Sequence, residues 1–155
     1  MNNDTVWMRH AIAEAEEALA SGEVPVGAVV VRRGEIIGRG HNRMEETGFP
    51  FEHAEVVAMW DAIKKHDRWA LADSVLYVTV EPCVMCVGAI LLARVPRLVY
   101  GVKEPRTGAC ESIFSIPNEP KVEHRLAVIG GVERERCREL MQLAFKGPRQ
   151  TKKGR

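Results

Sequence analysis

An α/β fold, three layers deep (α/β/α) with a five-stranded mixed sheet between helices, is what this sequence predicts, and three observations carry the reading. Helical and extended periodicities alternate along the chain in the order α-β-β-α-β-α-β-β-α. The first two extended runs are joined by a tight turn and form a hairpin, while helices between later runs can act as crossovers that create parallel pairs. The chemistry-bearing residues fall at the starts of two helices, where active sites of such sheets collect.

Each element has a local reason. Asp4 or Thr5 can cap a first helix, in which Trp7, Ala11, Ile12, Ala15, Ala18 and Leu19 repeat at helical spacing until Ser21-Gly22 stops it. Residues 24–31 are nearly continuous apolar and rich in β-branched side chains, with Pro25 near the start where a missing donor is tolerated, so they read as a buried strand. Arg33-Gly34 turns that strand into a second at 35–39, and a loop is expected over 41–52. A helix opens at His53 and runs to about residue 65, with Val56, Val57, Met59, Trp60 and Ile63 as its expected apolar face. A strand at 76–80, a helix at 83–93 and a strand at 98–101 follow, then a long loop over 103–123 containing Pro105, Gly108, Pro117 and Pro120. The last strand is expected within 125–129 and the last helix at 133–145, stopped by Gly147-Pro148. Trp60 and Trp69 are expected in the core.

A chain of 155 residues is the size of one domain with a real core. Its 46% hydrophobic and 28% charged residues, with no apolar run of spanning length, exclude a membrane-embedded or disordered chain. The first residues are polar and lack a basic signal-peptide start, so a cytoplasmic protein is expected. Cys110 and Cys137 lie far apart and read as reduced, partly buried thiols. The net charge of +1 hides an asymmetry: Lys146, Arg149, Lys152, Lys153 and Arg155 follow Glu139 with no acid among them, so the body is acidic and the end basic. One folded domain over 1–146 with a basic tail over 147–155 is expected. Such a tail suits a polyanionic partner, and a merely solvating terminus is the plainer alternative.

His53-Ala54-Glu55 and Glu81-Pro82-Cys83-Val84-Met85-Cys86 carry the functional reading. One imidazole and two thiolates suit Zn²⁺, and three protein ligands leave the fourth tetrahedral position for water, which makes the site catalytic. Glu55 stands two residues from the proposed ligand His53, where it can move protons without holding the metal. Cys-x-x-Cys alone could be a redox pair or half of a structural zinc knuckle. A closed structural site would need a fourth ligand, and the candidates Cys110, Cys137, His41 and His124 stand in no second paired motif. The reading is therefore an open zinc site in a hydrolase acting on an amine. Both half-motifs start helices, whose positive ends favour thiolate and carboxylate.

His-x-Glu followed by Pro-Cys-x-x-Cys is the known signature of zinc nucleobase deaminases. Together with Gly22-Glu23-Val24-Pro25-Val26-Gly27-Ala28, Gly40-His41-Asn42-Arg43, Tyr77-Val78-Thr79-Val80-Glu81, Thr107-Gly108-Ala109 and His124-Arg125, it makes nearly the whole chain resemble the bacterial tRNA-specific adenosine deaminases. The resemblance implies the cytidine-deaminase fold, a homodimer, and conversion of the wobble adenosine of a tRNA anticodon stem-loop to inosine. It also implies that Asn42 contacts the target nucleoside, that Val26 packs on the flipped base, and that Ala54 and the Pro82 backbone line the pocket. Pro50-Phe51-Glu52, Glu104, Glu123 and Ala144-Phe145 depart from the usual family pattern without touching His53, Glu55, Cys83 or Cys86.

For deamination at adenine C6, a zinc-bound hydroxide attacks while Glu55 takes its proton, passes one to N1 and later one to the departing amine. A free nucleobase or nucleoside such as guanine, cytosine or cytidine would use the same four residues. A zinc-stabilised RNA-binding module without catalysis is the third reading, and it gives Glu55 no task. His10 and His66 read as surface residues. His41 and His124 are either RNA contacts or satisfied turn histidines. Arg94, Arg97, Lys103 and Arg106 flank a loop that the resemblance places near the anticodon, and a solvated basic face is the alternative.

Overall fold

The computed structural model describes residues 3–146, so the expected tail at 147–155 lies outside the described residues. Five strands, β1 (Gly27–Arg32), β2 (Glu35–His41), β3 (Val75–Val80), β4 (Arg97–Val102) and β5 (Ala127–Ile129), form one sheet in the order β2-β1-β3-β4-β5. β1 is antiparallel to β2 and β3, while β3, β4 and β5 run parallel, which is the mixed sheet expected from the element order. Helices α1 (Asp4–Ala20), α2 (Met44–Thr47), α3 (Ala54–His66), α4 (Val84–Leu92) and α5 (Arg134–Lys146), with a 3₁₀ turn at Ile116–Asn118, are the other elements among the described residues. Among the described residues no helix is long and apolar enough to cross a membrane.

The sheet separates two cores. Ala28, Val30, Leu76, Val78 and Leu98 face α3 and α4, while their neighbours Val29, Val31, Tyr77 and Val99 face α1 and α5. Period-two alternation in strands buried on both sides therefore produces the three layers. α1 lies so close to β1 that a Cβ on Gly27 would collide with the Ala11 carbonyl. α3 approaches β2 as closely: a Cβ on Gly38 would meet the Ala58 carbonyl and, at 2.7 Å, the Ala62 Cβ.

That close approach corrects the expected face of α3. Met59 is buried as expected and Ile63 packs on the core, but the face laid over Gly38 is that of the small residues Ala58 and Ala62, which fit where a larger side chain would not. Trp60 turns outward at 57% exposure, with Lys64 Nζ 5.8 Å from its ring centre, and Trp69 is 68% exposed, so neither is a core residue. β1 begins at Gly27 and not at 24, because the Val26 amide donates back to the Val24 carbonyl at 2.8 Å and curls the chain after Pro25. The expected loop over 41–52 contains α2, whose Glu45 and Glu46 amides donate to the buried Glu23 carboxylate at 3.1 and 2.8 Å. A long-range capping contact of this kind leaves no local sequence signal.

Asp4 does not cap α1; Asn3 holds that position without a side-chain bond. Instead the buried Asp4 carboxylate accepts both guanidinium nitrogens of Arg97, at 2.9 and 2.7 Å, and the Tyr77 hydroxyl at 2.8 Å. This ties α1 to β3 and β4 and uses Arg97 structurally, so Arg97 is not the free basic group that the loop reading allowed. Burial, then Asp4, pushes the Tyr77 phenol up to about 12. A raised folded value gives stability that is complete below the ordinary value of 10.0 and is lost as pH climbs toward about 12, since the unfolded phenol ionises first. Tyr77→Phe should cost about 1 kcal/mol at neutral pH and flatten that alkaline fall, as read from urea midpoints measured across the range.

Candidate active site

β3 and the hairpin β1–β2 end beside each other, and their exits deliver both half-motifs. His53 is the N-cap of α3 and Cys83 the N-cap of α4, both with extended backbone, and Cys86 follows on the first turn of α4. Three ligand atoms converge: His53 Nδ1 lies 3.6 Å from Cys83 Sγ and 3.5 Å from Cys86 Sγ. A tetrahedral zinc with bonds of about 2.0–2.1 Å to nitrogen and 2.3 Å to sulfur separates such ligands by about 3.6 Å, so the donor set fits the ion in chemistry and spacing. The hydrogen bond from Cys86 pulls the Cys83 thiol down to about 4, with His53 helping against burial. Its partner Cys86 is pushed up, first by Cys83 and then by burial. Two thiolates this close would crowd negative charge at the site, which a dication would relieve.

Glu55 sits on the first turn of α3 and is buried, and desolvation raises its carboxyl pKa against the opposing effect of Cys86. A buried carboxyl near a metal triangle, not itself a member of it, is suited to exchange protons. Asn42 is also buried, and its Oδ1 accepts the Ala54 amide at 3.0 Å, satisfying one of the orphan donors at the start of α3. Its own amide donates to the Val26 carbonyl at 3.2 Å. Val26 and Ala54 pack in the same core cluster. Pro82 follows β3 and is buried, and its carbonyl accepts the Ala109 amide at 2.8 Å. The structure thus places Val26, Asn42 and Ala54 together at the exit of β1–β2 and the start of α3, with Pro82 beside Cys83.

Residues 2–141 match the family model of the MafB19-like deaminases. Over 153 residues, 99% of this chain and 96% of the relative, the sequence is 41% identical to a tRNA-specific adenosine deaminase of Streptococcus pyogenes. The chain belongs to the tRNA-specific adenosine deaminase family. A solved structure from work on A-to-I editing by deaminases at the wobble position of transfer RNA matches with a TM-score of 0.84 and 38% identity, covering 88% of this chain and 99% of that one. A guanine deaminase from Bacillus subtilis matches with a TM-score of 0.62 and 37% identity over 66% of each chain. These matches bear out the fold, five-stranded sheet included, and the resemblance drawn from the motifs.

Other residues resolve differently within this family member. His124 Nε2 lies 2.8 Å from the Val95 carbonyl, a satisfied structural histidine. His41 Nδ1 lies 3.0 Å from Glu14, which also pairs with Arg39 at 3.8 Å, so Glu14 and His41 of the Glu14–Glu17–His41 group already have partners within the protein. His10 and His66 are exposed, and Cys110 and Cys137 are free, buried thiols, each pushed up to about 12 by burial. Sequence reasoning gives Glu81 no role beyond opening a motif. In the structure it is buried and bonded to the loop over 103–116, and the one local hint of this is an acid leaving a strand in a chain that also carries Thr107-Gly108-Ala109.

If His53, Cys83 and Cys86 hold the ion, the purified protein should contain one zinc per chain, and Cys86→Ala should lose it with part of the folding stability. Metal analysis together with thermal melts decides the point, and full zinc occupancy in that variant would refute the ligand set.

Proposed function

We propose that this chain deaminates the wobble adenosine of a tRNA anticodon to inosine, with zinc at His53, Cys83 and Cys86 and with Glu55 as the proton carrier. The observation that carries the reading is the triangle of one imidazole nitrogen and two sulfurs beside a buried glutamate. The tRNA-specific relatives, matched over nearly full length, support tRNA as the substrate. Zinc, when bound, supplies an acidified water as the nucleophile. Glu55 would take a proton from the attacking water and deliver it to adenine N1, then take the proton of the new C6 hydroxyl and give it to the leaving amine. Because Asn42 commits Oδ1 to the Ala54 amide, its Nδ2 group is the one left to donate to the nucleoside. Val26, Ala54 and the Pro82 backbone shape the walls against which the base rests. An anticodon loop offers its bases unpaired, so flipping one out costs little.

The protein works as a homodimer in the cytoplasm on this reading. Val84 and Leu92 on α4, with Trp60 and Trp69, expose large apolar surface that a second copy would cover. Residues 1–146 form the deaminase domain, and the tail at 147–155 contributes affinity for RNA. A guanine deaminase among the matched structures supports a second reading, a free-base deaminase built on the same four residues. Incubating the zinc-loaded protein separately with an anticodon stem-loop, guanine, cytosine and cytidine, and measuring ammonia, separates the two: turnover of guanine without the stem-loop would sink the tRNA reading.

Glu55→Ala should fold, keep its zinc and bind the stem-loop, while turnover at saturation falls by about 10²–10⁴. A fall smaller than about tenfold in stopped assays would assign the proton to another group. Removing residues 147–155 should raise the apparent KM for tRNA with little change in turnover. It should also flatten the salt dependence by about 0.7–0.9 in log–log slope for each phosphate that the tail neutralises, and identical slopes would show that the tail touches no RNA.

A further inference from the structure

Glu81 has more hydrogen bonds than any structural need of its own strand explains. Its carboxylate accepts the backbone amides of Glu104 at 3.1 Å, Cys110 at 3.1 Å, Glu111 at 2.9 Å and Ser112 at 3.0 Å, and the Ser112 hydroxyl at 2.5 Å. All five donors belong to the loop after β4, and none to β3 or α4, between which Glu81 lies. The side chain is buried. A carboxylate has about four lone-pair sites, so this one is saturated by a single loop.

The loop held in this way lies against the metal triangle. Gly108 bridges to Cys83, and the Ala109 amide donates to Pro82, the residue between Glu81 and Cys83. Gly108 passes so close that a Cβ there would strike the Glu81 carboxylate, with both oxygens 2.5 Å away. From Gly108 the chain turns tightly, with Ile113 and Phe114 donating their amides back to its carbonyl, and leaves both of those side chains half-exposed.

We propose that Glu81 is a positioning residue: by gathering the amides of 104 and 110–112 it holds this loop as a wall of the substrate pocket, and so governs substrate affinity and not the chemical step. The proposal rests on the tRNA deaminase reading for its substrate. A flexible wall must be ordered when substrate binds, and ordering it beforehand removes that cost from binding. Glu81→Gln keeps size and burial but replaces two acceptor oxygens with one acceptor and a donor that faces amide donors, so the cradle cannot be satisfied. Ser112→Ala removes a single donor and leaves the carboxylate intact.

The test uses zinc-loaded full-length protein and two readouts. In Glu81→Gln, hydrogen exchange at the amides of Glu104, Cys110, Glu111 and Ser112 should accelerate about tenfold or more, with β1 and β3 amides unchanged. The KM for an anticodon stem-loop should rise about tenfold or more with turnover at saturation within about threefold, and Ser112→Ala should shift both quantities the same way by less. Gly108→Ala, pressing on the carboxylate from the loop side, should act on the same interaction, so its effect on KM should not add to that of Glu81→Gln. Unchanged loop exchange, or a fall in turnover at constant KM accompanied by zinc release, would overturn the assignment in favour of a role in the metal helix alone. Should wild-type protein leave the stem-loop untouched, the substrate reading fails by itself, and the exchange measurement still upholds or overturns the tether. If Glu81→Gln does not fold, Gly108→Ala and Ser112→Ala carry the same comparison.

Discussion

The structure depends on gathering electron-rich groups in one small volume. Two thiols, an imidazole and a buried carboxyl meet where α3 and α4 begin, and each would resist such crowding in an apolar interior. The helix starts offset part of that cost, since each presents unpaired amides and the positive end of a dipole. A divalent ion held by His53, Cys83 and Cys86 would offset more of it and would cross-link the two helices. His53 and Cys83 both sit at N-caps that carry no side-chain cap of their own, which leaves their side chains to face one another.

The sheet order is what brings those helix starts together. β1 pairs with both β2 and β3, so the exits of the hairpin and of β3 lie side by side, and the chain enters α3 from one and α4 from the other. Close packing then sets how near the helices come. Gly27 and Gly38 remove the side chains that would hold α1 and α3 away from the sheet, and the small residues Ala58 and Ala62 complete the fit. The same geometry drives Trp60 outward, so an exposed aromatic surface follows from a tight interior contact.

Buried carboxylates organise the periphery. Glu23 holds the start of α2, Asp4 clamps α1 to β3 and β4, and Glu81 gathers the loop after β4, each by accepting several donors at once. A carboxylate so placed is stable in the interior because charge-assisted hydrogen bonds replace its water. At Glu81 burial pushes the carboxyl up, yet Ser112 and the loop amides outweigh it and hold the group below its ordinary value. Irregular segments around the site therefore keep defined positions without belonging to the sheet.

Local pattern determined much of this protein. The apolar, β-branched runs at 24–31 and 76–80, the apolar repeat of α1, the turn at Arg33-Gly34 and the two half-motifs are all short-range features, so the sheet class, the element order apart from α2, and the grouping of His53, Cys83 and Cys86 were legible from residue types and spacing. The tertiary structure decided what depends on residues far apart in the chain. Which face of α3 is buried was set by glycines on β2, the true partners of Asp4 lay on β3 and β4, and the task of Glu81 was set by a loop more than twenty residues away. Periodicity reports whether a face is apolar, but the depth of contact and the partner of a buried charge arise only when separate elements pack.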